Sequence, residues 1–464
     1  MVKRTRRGAA LAAGAAVIAT VGVSFYFFSS NTGESIQRRS QRPNILIIVT
    51  DDQRGGLGVM PKTRRIFQHG GTDFSNAFVS DPLCCPSRAS IFTGSYPHNH
   101  HVETEEQAAN LVQASTIQRY LHDDGYETGI FGKYLNSWNI KKRPPYFDRW
   151  SIFTLSKYGY LNTPWNANGK VSRIPTYSTT YISQQARSFL RSTSTGGGHK
   201  PWFLYLAPAA PHFPYTPAEK YAHATVPKWS GDPATSERDR SDKPPFVVAK
   251  RNVTLRMGKA IRRKQFRTLM SVDDMVGEVF RQLSRLHEAS NTLAFFTSDN
   301  GYLWGEHGVG GKDFPYTESI QVPLLERWPG HVPAATADPH FVSNVDIAPT
   351  ILNAAGLRAD SRYPMDGRSL LDQTAARKRL YAEYFKDPKF PRVLSWASLR
   401  TRSYQYIEYY QGTNVVFREY YNLKTDPWEL NNVLADGDPK NDGHAGRAAI
   451  LLRRARACQG ATCP

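Results

Sequence analysis

Cysteine is scarce in this chain, four residues in 464, so a scaffold built on a network of disulfides is excluded. No zinc-finger, helix-turn-helix or His-Glu-x-x-His pattern is present, and no internal repeat or extended low-complexity stretch. Acidic residues are under-represented, 40 Asp and Glu against 59 Lys and Arg, for a net charge of +19. Residues 1–42 hold only Lys3, Arg4, Arg6, Arg7, Arg38, Arg39 and Arg42 against Glu34, so most of that charge belongs to the body. A basic body attracts anions of many kinds, and without a recognition motif charge alone does not make a nucleic-acid binder, so no nucleic-acid partner is expected.

Charge is also absent from Gly8 to Phe28, a 21-residue apolar run preceded by Lys3 to Arg7. That run is long for a signal-peptide core and about long enough to span a bilayer, and no clear small-x-small cleavage site follows it. Residues 1–42 are therefore read as a signal peptide or an uncleaved membrane anchor plus a polar linker, and the body as exported, secreted or anchored to the outer face of the cytoplasmic membrane. Thr5-Arg6-Arg7 is too degenerate a twin-arginine match to choose the export route. Cys458 and Cys463, in a short C-terminal tail, fit a local disulfide loop, which suits an exported chain; free thiols are the alternative.

What is present centres on Cys84-Cys85-Pro86-Ser87-Arg88-Ala89-Ser90-Ile91-Phe92-Thr93-Gly94. Pro86 suits the first turn of a helix and Gly94 its end, which places Cys84 at a helix N-terminus where anions are favoured. Arg88, one turn on, adds a permanent cation with a planar fork of donors. Asn44 to Thr50 and Leu293 to Ser298 read as continuous apolar strands of a parallel sheet covered on both faces. The first ends in Asp51-Asp52 and the second in Asp299-Asn300. If the two strands are neighbours, these side chains converge as an all-oxygen set suited to calcium, with magnesium second and zinc poorly matched.

Cys-x-Pro-Ser-Arg followed by Thr-Gly resembles the signature of the type I, formylglycine-dependent sulfatases. The longer run Leu83 to Ile91, then Tyr96-Pro97-His98-Asn99-His100-His101, and Gly132-Lys133-Tyr134-Leu135-Asn136 are most similar to the N-acetylglucosamine-6-sulfatase branch, which also has a Cys-x4-Cys near its end. The resemblance implies an alkaline-phosphatase-like α/β sandwich: a large, mostly parallel central sheet flanked by helices, with a smaller C-terminal antiparallel α+β subdomain. It implies that Cys84 becomes Cα-formylglycine through a formylglycine-generating enzyme, and that Asp51, Asp52, Asp299, Asn300 and residue 84 hold Ca2+. It further implies that Arg88, Lys133, His212 and Lys312 meet the sulfate ester. In this family one hydroxyl of the hydrated aldehyde attacks sulfur, and the second then loses its proton to expel sulfate. Many sulfatases carry a histidine two residues after the lysine; Leu135 stands there instead, so that role does not transfer.

The implied organisation is a catalytic domain over 43–378 and a C-terminal subdomain over 379–464, where β-prone pieces such as Leu380 to Phe385, Trp396 to Tyr409 and Val415 to Leu423 alternate with turns. Spacings of three and four from Phe266 to Leu286 predict a core-facing helix. Ser192 to Lys200 and Trp229 to Pro245 read as surface loops, Gly305 to Lys312 as a mobile glycine-rich loop with His307 a weaker site candidate, and His98, His100 and His101 as lining a substrate pocket. Asn252-Val253-Thr254 is a glycosylation acceptor only in a host that modifies exported chains. The expected activity is hydrolysis of a sulfate monoester, 6-sulfate on N-acetylglucosamine of a glycosaminoglycan or other sulfated sugar. The alternatives are a phosphate or phosphonate monoester hydrolase with the same machinery, a non-catalytic sulfated-glycan binder, and, least, an anchored basic scaffold.

Overall fold

The run Asn44–Thr50 forms strand β1, and every one of its residues is buried. Its alternate side chains serve two cores: Ile45, Ile47 and Val49 pack on one face of the sheet, Leu46 and Ile48 on the other. A strand covered on both sides in this way needs apolar residues at every position, which is the pattern its sequence shows. The computed structural model describes residues 42–154, 159–195, 200–249, 253–372, 376–440 and 442–464. The apolar run from Gly8 to Phe28 and Asn252 lie outside them, and among the described residues no helix is long and apolar enough to cross a membrane.

Around β1 the chain builds a ten-stranded sheet from β2 (Thr72–Phe78), β3 (Glu127–Lys133), β4 (Arg149–Phe153), β5 (Thr163–Ala167), β6 (Lys170–Ile174), β7 (Trp202–Ala207), β8 (Thr292–Ser298), β11 (Leu324–Arg327) and β12 (Thr336–Ser343). The order is β12-β2-β11-β8-β1-β7-β3-β4-β5-β6, and the central strands β8, β1, β7, β3 and β4 are mutually parallel. Between β8 and β11 runs a two-stranded ladder of β9 (Leu303–Trp304) and β10 (Gly310–Gly311). A separate antiparallel sheet, β13 (Leu380–Tyr384), β14 (Ser395–Arg400), β15 (Tyr404–Gln411) and β16 (Asn414–Asn422), follows in the C-terminal part.

Helices α1 (Cys84–Thr93) and α4 (Ile347–Ala355) cover one face of the large sheet, while α2 (Ser178–Thr195) and α3 (Leu255–Arg285) cover the other. The helix expected from Phe266 onward thus begins eleven residues earlier, its N-cap Thr254 accepting from the Met257 N–H. The loop reading of Ser192 to Lys200 is corrected as far as Thr195, which ends α2; 196–199 lie outside the described residues. α2 is rich in Ser and Thr, but Ile182, Ala186, Phe189 and Leu190 recur at helical spacing and bury against α3 and the sheet. Cys458 and Cys463 form a disulfide.

Of the histidines after α1, His101 is exposed, while His98 and His100 are held by partners within the fold. His100 is buried with Nε2 3.0 Å from Ser90 Oγ, and Nδ1 accepts from the Val102 N–H; burial pushes its pKa down to about 3, so it is neutral. His98 donates from Nδ1 to Glu383 Oε1 (2.7 Å) and from Nε2 to the Cys458 carbonyl (3.0 Å), fastening the segment after α1 to β13 and the C-terminal tail. Burial opposes its charge, but the hydrogen bond and charge of Glu383 prevail and raise its pKa from 6.5 to about 9. A raised histidine contributes stability that is complete below its unfolded pKa and lost as pH rises through the folded one. The melting-temperature gap between the wild type and His98→Gln is therefore expected to be widest below pH 6.5 and to narrow above about pH 9, as calorimetry across pH would show.

Candidate active site

β1 and β8 are adjacent and parallel, paired in register from Asn44 with Thr292 to Thr50 with Ser298. Their carboxyl ends therefore deliver Asp51, Asp52, Asp299 and Asn300 to one place, where open α/β sheets bind ligands. Asp52 adopts φ 70°, held by its own N–H donating to Asp299 Oδ1 (3.1 Å) and by Asn300 Nδ2 donating to its Oδ1 (2.8 Å). α1 brings Cys84 to the same point, its Sγ 3.2 Å from Asp51 Oδ1 and 3.5 Å from Asn300 Oδ1. Gly94, at φ 70°, ends the helix as its position in the sequence predicts.

Three cations complete the cluster. Arg88 is fully buried, donating from Nε to Asp299 Oδ2 (2.9 Å) and from one guanidinium nitrogen to the Lys133 carbonyl (3.1 Å). Its other terminal nitrogen lies 3.6 Å from Asp51 Oδ2 and has no hydrogen-bond partner among the described residues. Lys133 ends β3 and donates to Asp51 Oδ2 (2.7 Å). Gly132 precedes it at φ 122°, and a side chain there would strike the Ala207 carbonyl at 2.0 Å, so the Gly-Lys pair is a backbone requirement. Lys312 donates to Asp52 Oδ1 (2.7 Å) and Cys84 Sγ (2.5 Å), with Asn300 Oδ1 at 3.4 Å. His212 is the most exposed member, Nε2 being 3.8 Å from Asp52 Oδ2 and Nδ1 donating to the Phe213 carbonyl (2.7 Å).

Asp51, Asp52 and Asp299 thus face Arg88, Lys133 and Lys312 in a dry site, and each sign holds the other ionised. Burial pushes the Asp51 carboxyl up, but Lys133, then His212 and Arg88, outweigh it and hold it at about 2. Asp52 is lowered likewise, Lys312 and His212 overcoming burial. Burial, with Asp299 and Asp51, drives the Cys84 thiol well above its ordinary value, so as a cysteine it is a poor nucleophile. Lys312 shows what the donor set is fitted for: one positive charge sits against Asp52, Asn300 and residue 84 at once. Asp51, Asp52, Cys84 and His212 also offer ligand atoms within 4.8 Å of one another. Hard oxygens from carboxylates and an amide fit a calcium ion.

The structure therefore brings together every site residue read from the sequence except His307. That ring is buried, its Nδ1 2.8 Å from Glu237 Oε2, tilted against Tyr316 and grouped with Glu318 and Glu429, so it anchors the Lys312 segment from behind. Sequence reasoning missed Glu105, whose Oε1 accepts from the Cys84 N–H (2.9 Å), and Asn344, whose Nδ2 donates to Ser87 Oγ (2.9 Å). Glu105 lies in a turn within a polar run and Asn344 opens a short 3-10 helix, and neither carries a spacing signal. The Cys84 N–H at the start of α1 is taken by the Glu105 carboxylate, an anion of the chain itself.

Arg88→Ala leaves Asp299 and Asp51 buried beside a lost partner, and a cost of about 3–5 kcal/mol in unfolding free energy is expected. Arg88→Lys recovers little of it, because one ammonium cannot span Asp299 and the Lys133 carbonyl; urea titration of both variants checks this.

A family model described as Sulfatase matches residues 43–357, and one described as N-sulphoglucosamine sulphohydrolase, C-terminal, matches residues 305–443. The human N-acetylglucosamine-6-sulfatase is 31% identical over 496 residues, covering 91% of this chain and 86% of that protein. The Drosophila melanogaster "Extracellular sulfatase SULF-1 homolog" is 35% identical over 378 residues, 76% of this chain but only 33% of that longer protein. Among solved structures, one described as a complex with its substrate D-glucosamine-2-N,6-O-disulfate superposes with a TM-score of 0.78 at 23% identity, covering 90% of this chain and 98% of that one, a likeness of fold. With its mostly parallel sheet, smaller antiparallel C-terminal sheet and Cys84 motif, this chain belongs to the sulfatase family.

Proposed function

We propose that this chain is an exported sulfatase that hydrolyses sulfate monoesters, with 6-sulfate on N-acetylglucosamine of a glycan as the substrate class. The observation that carries the reading is the convergence of Asp51, Asp52, Asp299, Asn300, Arg88, Lys133 and Lys312 on Cys84 at the start of α1. The similarity to the human N-acetylglucosamine-6-sulfatase over 91% of the chain supports the substrate class. The domain reading goes with it: a catalytic domain over 43–378 and a C-terminal subdomain over 379–464, within which β13 to β16 form their own sheet.

A sulfate ester resists nucleophilic attack because its equatorial oxygens carry negative charge, and cations fixed in a dry site lower that barrier. Asp51, Asp52, Asp299, Asn300 and an oxygen on residue 84 would hold Ca2+, which supplies Lewis acidity and charge to the sulfate oxygens and to the nucleophile. Formylglycine at residue 84, made by a formylglycine-generating enzyme, would supply a hydrated aldehyde as the nucleophile toward sulfur, the ester S–O bond to the sugar being the one broken. Without a divalent ion, Asp51, Asp52 and Asp299 are balanced by Arg88, Lys133 and Lys312; with one, the site carries surplus positive charge for an anionic ester. Arg88, Lys133 and Lys312 neutralise the sulfate oxygens, Arg88 having one buried guanidinium nitrogen without a hydrogen-bond partner among the described residues. His212, the most exposed of the set, or one of the lysines donates a proton to the departing sugar oxygen.

Turnover of N-acetylglucosamine 6-sulfate is expected to exceed that of the matched 6-phosphate, to vanish in Cys84→Ala, and to fall about 10²–10⁴-fold in kcat for His212→Ala. Faster phosphate hydrolysis would make the chain a phosphate or phosphonate monoesterase, and binding without turnover a glycan-binding protein. Removal of calcium with a chelator is expected to lower the melting temperature of the wild type, reversibly on adding Ca2+, and to leave that of Asp52→Asn unmoved.

A further inference from the structure

The N-terminal half of α3 carries Arg256, Lys259, Arg262, Arg263, Lys264 and Arg267, and its first acidic residue is Asp273. Its first turn holds no acid, so Arg256 and Lys259 sit at the positive end of the helix dipole, an arrangement that costs stability. Arg256, Lys259, Arg263 and Lys264 are exposed, and none has a hydrogen bond or ion pair among the described residues. Surface cations in folded domains are commonly interspersed with acids; here like charges crowd one face of a helix where isolated pairs repel.

Beside this face lies a cleft of about 400 Å³ whose walls include Lys228, Lys259 and Arg263, with the half-buried Trp229 and Arg262 also lining it. Arg262 is fixed in place, donating to the Pro227 carbonyl (2.8 Å) and lying over Phe266 at 4.2 Å and the Trp229 ring at 5.8 Å. Trp229 meets Trp304 edge to face at 5.4 Å, and Trp304 follows Asn300 of the active site by four residues. The cleft thus packs on the segment that runs from Asn300 toward Lys312. An aromatic surface between cations matches a sugar ring bearing sulfates: the ring face against indole, the sulfates against Lys and Arg.

We propose that this cleft and the basic face of α3 form a second binding site for a sulfated polysaccharide, holding the chain away from the ester being cleaved. That the occupant is a glycan rests on the sulfatase reading above; the charge and the aromatic cleft do not. The surface raises the local concentration of polymeric substrate and acts on KM for polymers, not on turnover of a monosaccharide.

The test uses the full chain, with Arg256→Gln/Lys259→Gln/Arg263→Gln as one variant and Trp229→Ala as another, both checked by thermal melting. The probes are a heparin oligosaccharide and a single-stranded DNA of similar charge. The triple variant is expected to bind heparin about tenfold or more weakly and with a shallower salt dependence. Trp229→Ala is expected to weaken heparin more than DNA, and both variants to turn over N-acetylglucosamine 6-sulfate as the wild type does. Unchanged heparin affinity in the triple variant would overturn the proposal. So would DNA binding as tight as heparin with no effect of Trp229→Ala, which would mark a plain polyanion surface. If the wild type turns over no sulfated sugar while heparin binding still depends on the cleft, the catalytic reading fails and this site stands.

Discussion

Three carboxylates and three cations buried in one place are stable only together. Asp51, Asp52 and Asp299 are each fully or almost fully removed from water, as are Arg88 and Lys133, and Lys312 is nearly so. Any one of them alone would forfeit several kcal/mol of solvation, a penalty repaid by the opposite charges within hydrogen-bond reach. That mutual dependence fixes the geometry around residue 84 before substrate arrives, and preorganised charge is the largest lever an enzyme has over an anionic reaction.

The rest of the fold supplies the positions. Parallel pairing of β1 with β8 and of β7 with β3 points four carboxyl ends the same way, and apolar side chains on both faces of β1 lock the register. α1 lies against that sheet, ended by Gly94 and secured by Ser87, Ser90 and His100. Lys312 comes from the β9–β10 segment, which His307 and Glu237 hold from behind, and Trp304 in the same segment leads outward to the basic cleft. The chemistry proposed at Cys84 and the polymer capture proposed at α3 are in this way attached to one stretch of chain.

Much of this was legible in the sequence. The two apolar runs ending in Asp-Asp and Asp-Asn declared themselves as buried strands because a doubly covered strand cannot hide its composition, and the fold adds that they are neighbours. The Cys84 motif marked helix α1, whereas the tight approach at Gly132 shows only in the structure. Less was visible where tertiary contacts decide. α2 looked like loop at its Ser- and Thr-rich end, and the exposed half of α3 had too few apolar residues to show helical spacing. The histidine run after α1 suggested a pocket, yet His98 and His100 find their partners in Glu383 and Ser90, far off in sequence or one turn inside a helix. Glu105 and Asn344 gave no sign at all, since a lone polar residue acquires a role only from what folds against it.

As a thiol, Cys84 is buried, beside two carboxylates and resistant to ionisation, so the account stands on its conversion to an aldehyde. The direct measurement is peptide mass spectrometry across Leu83 to Arg88 on protein made in its native host. The account predicts formylglycine at position 84 with Cys85 unmodified. An intact thiol at Cys84 throughout would contradict it.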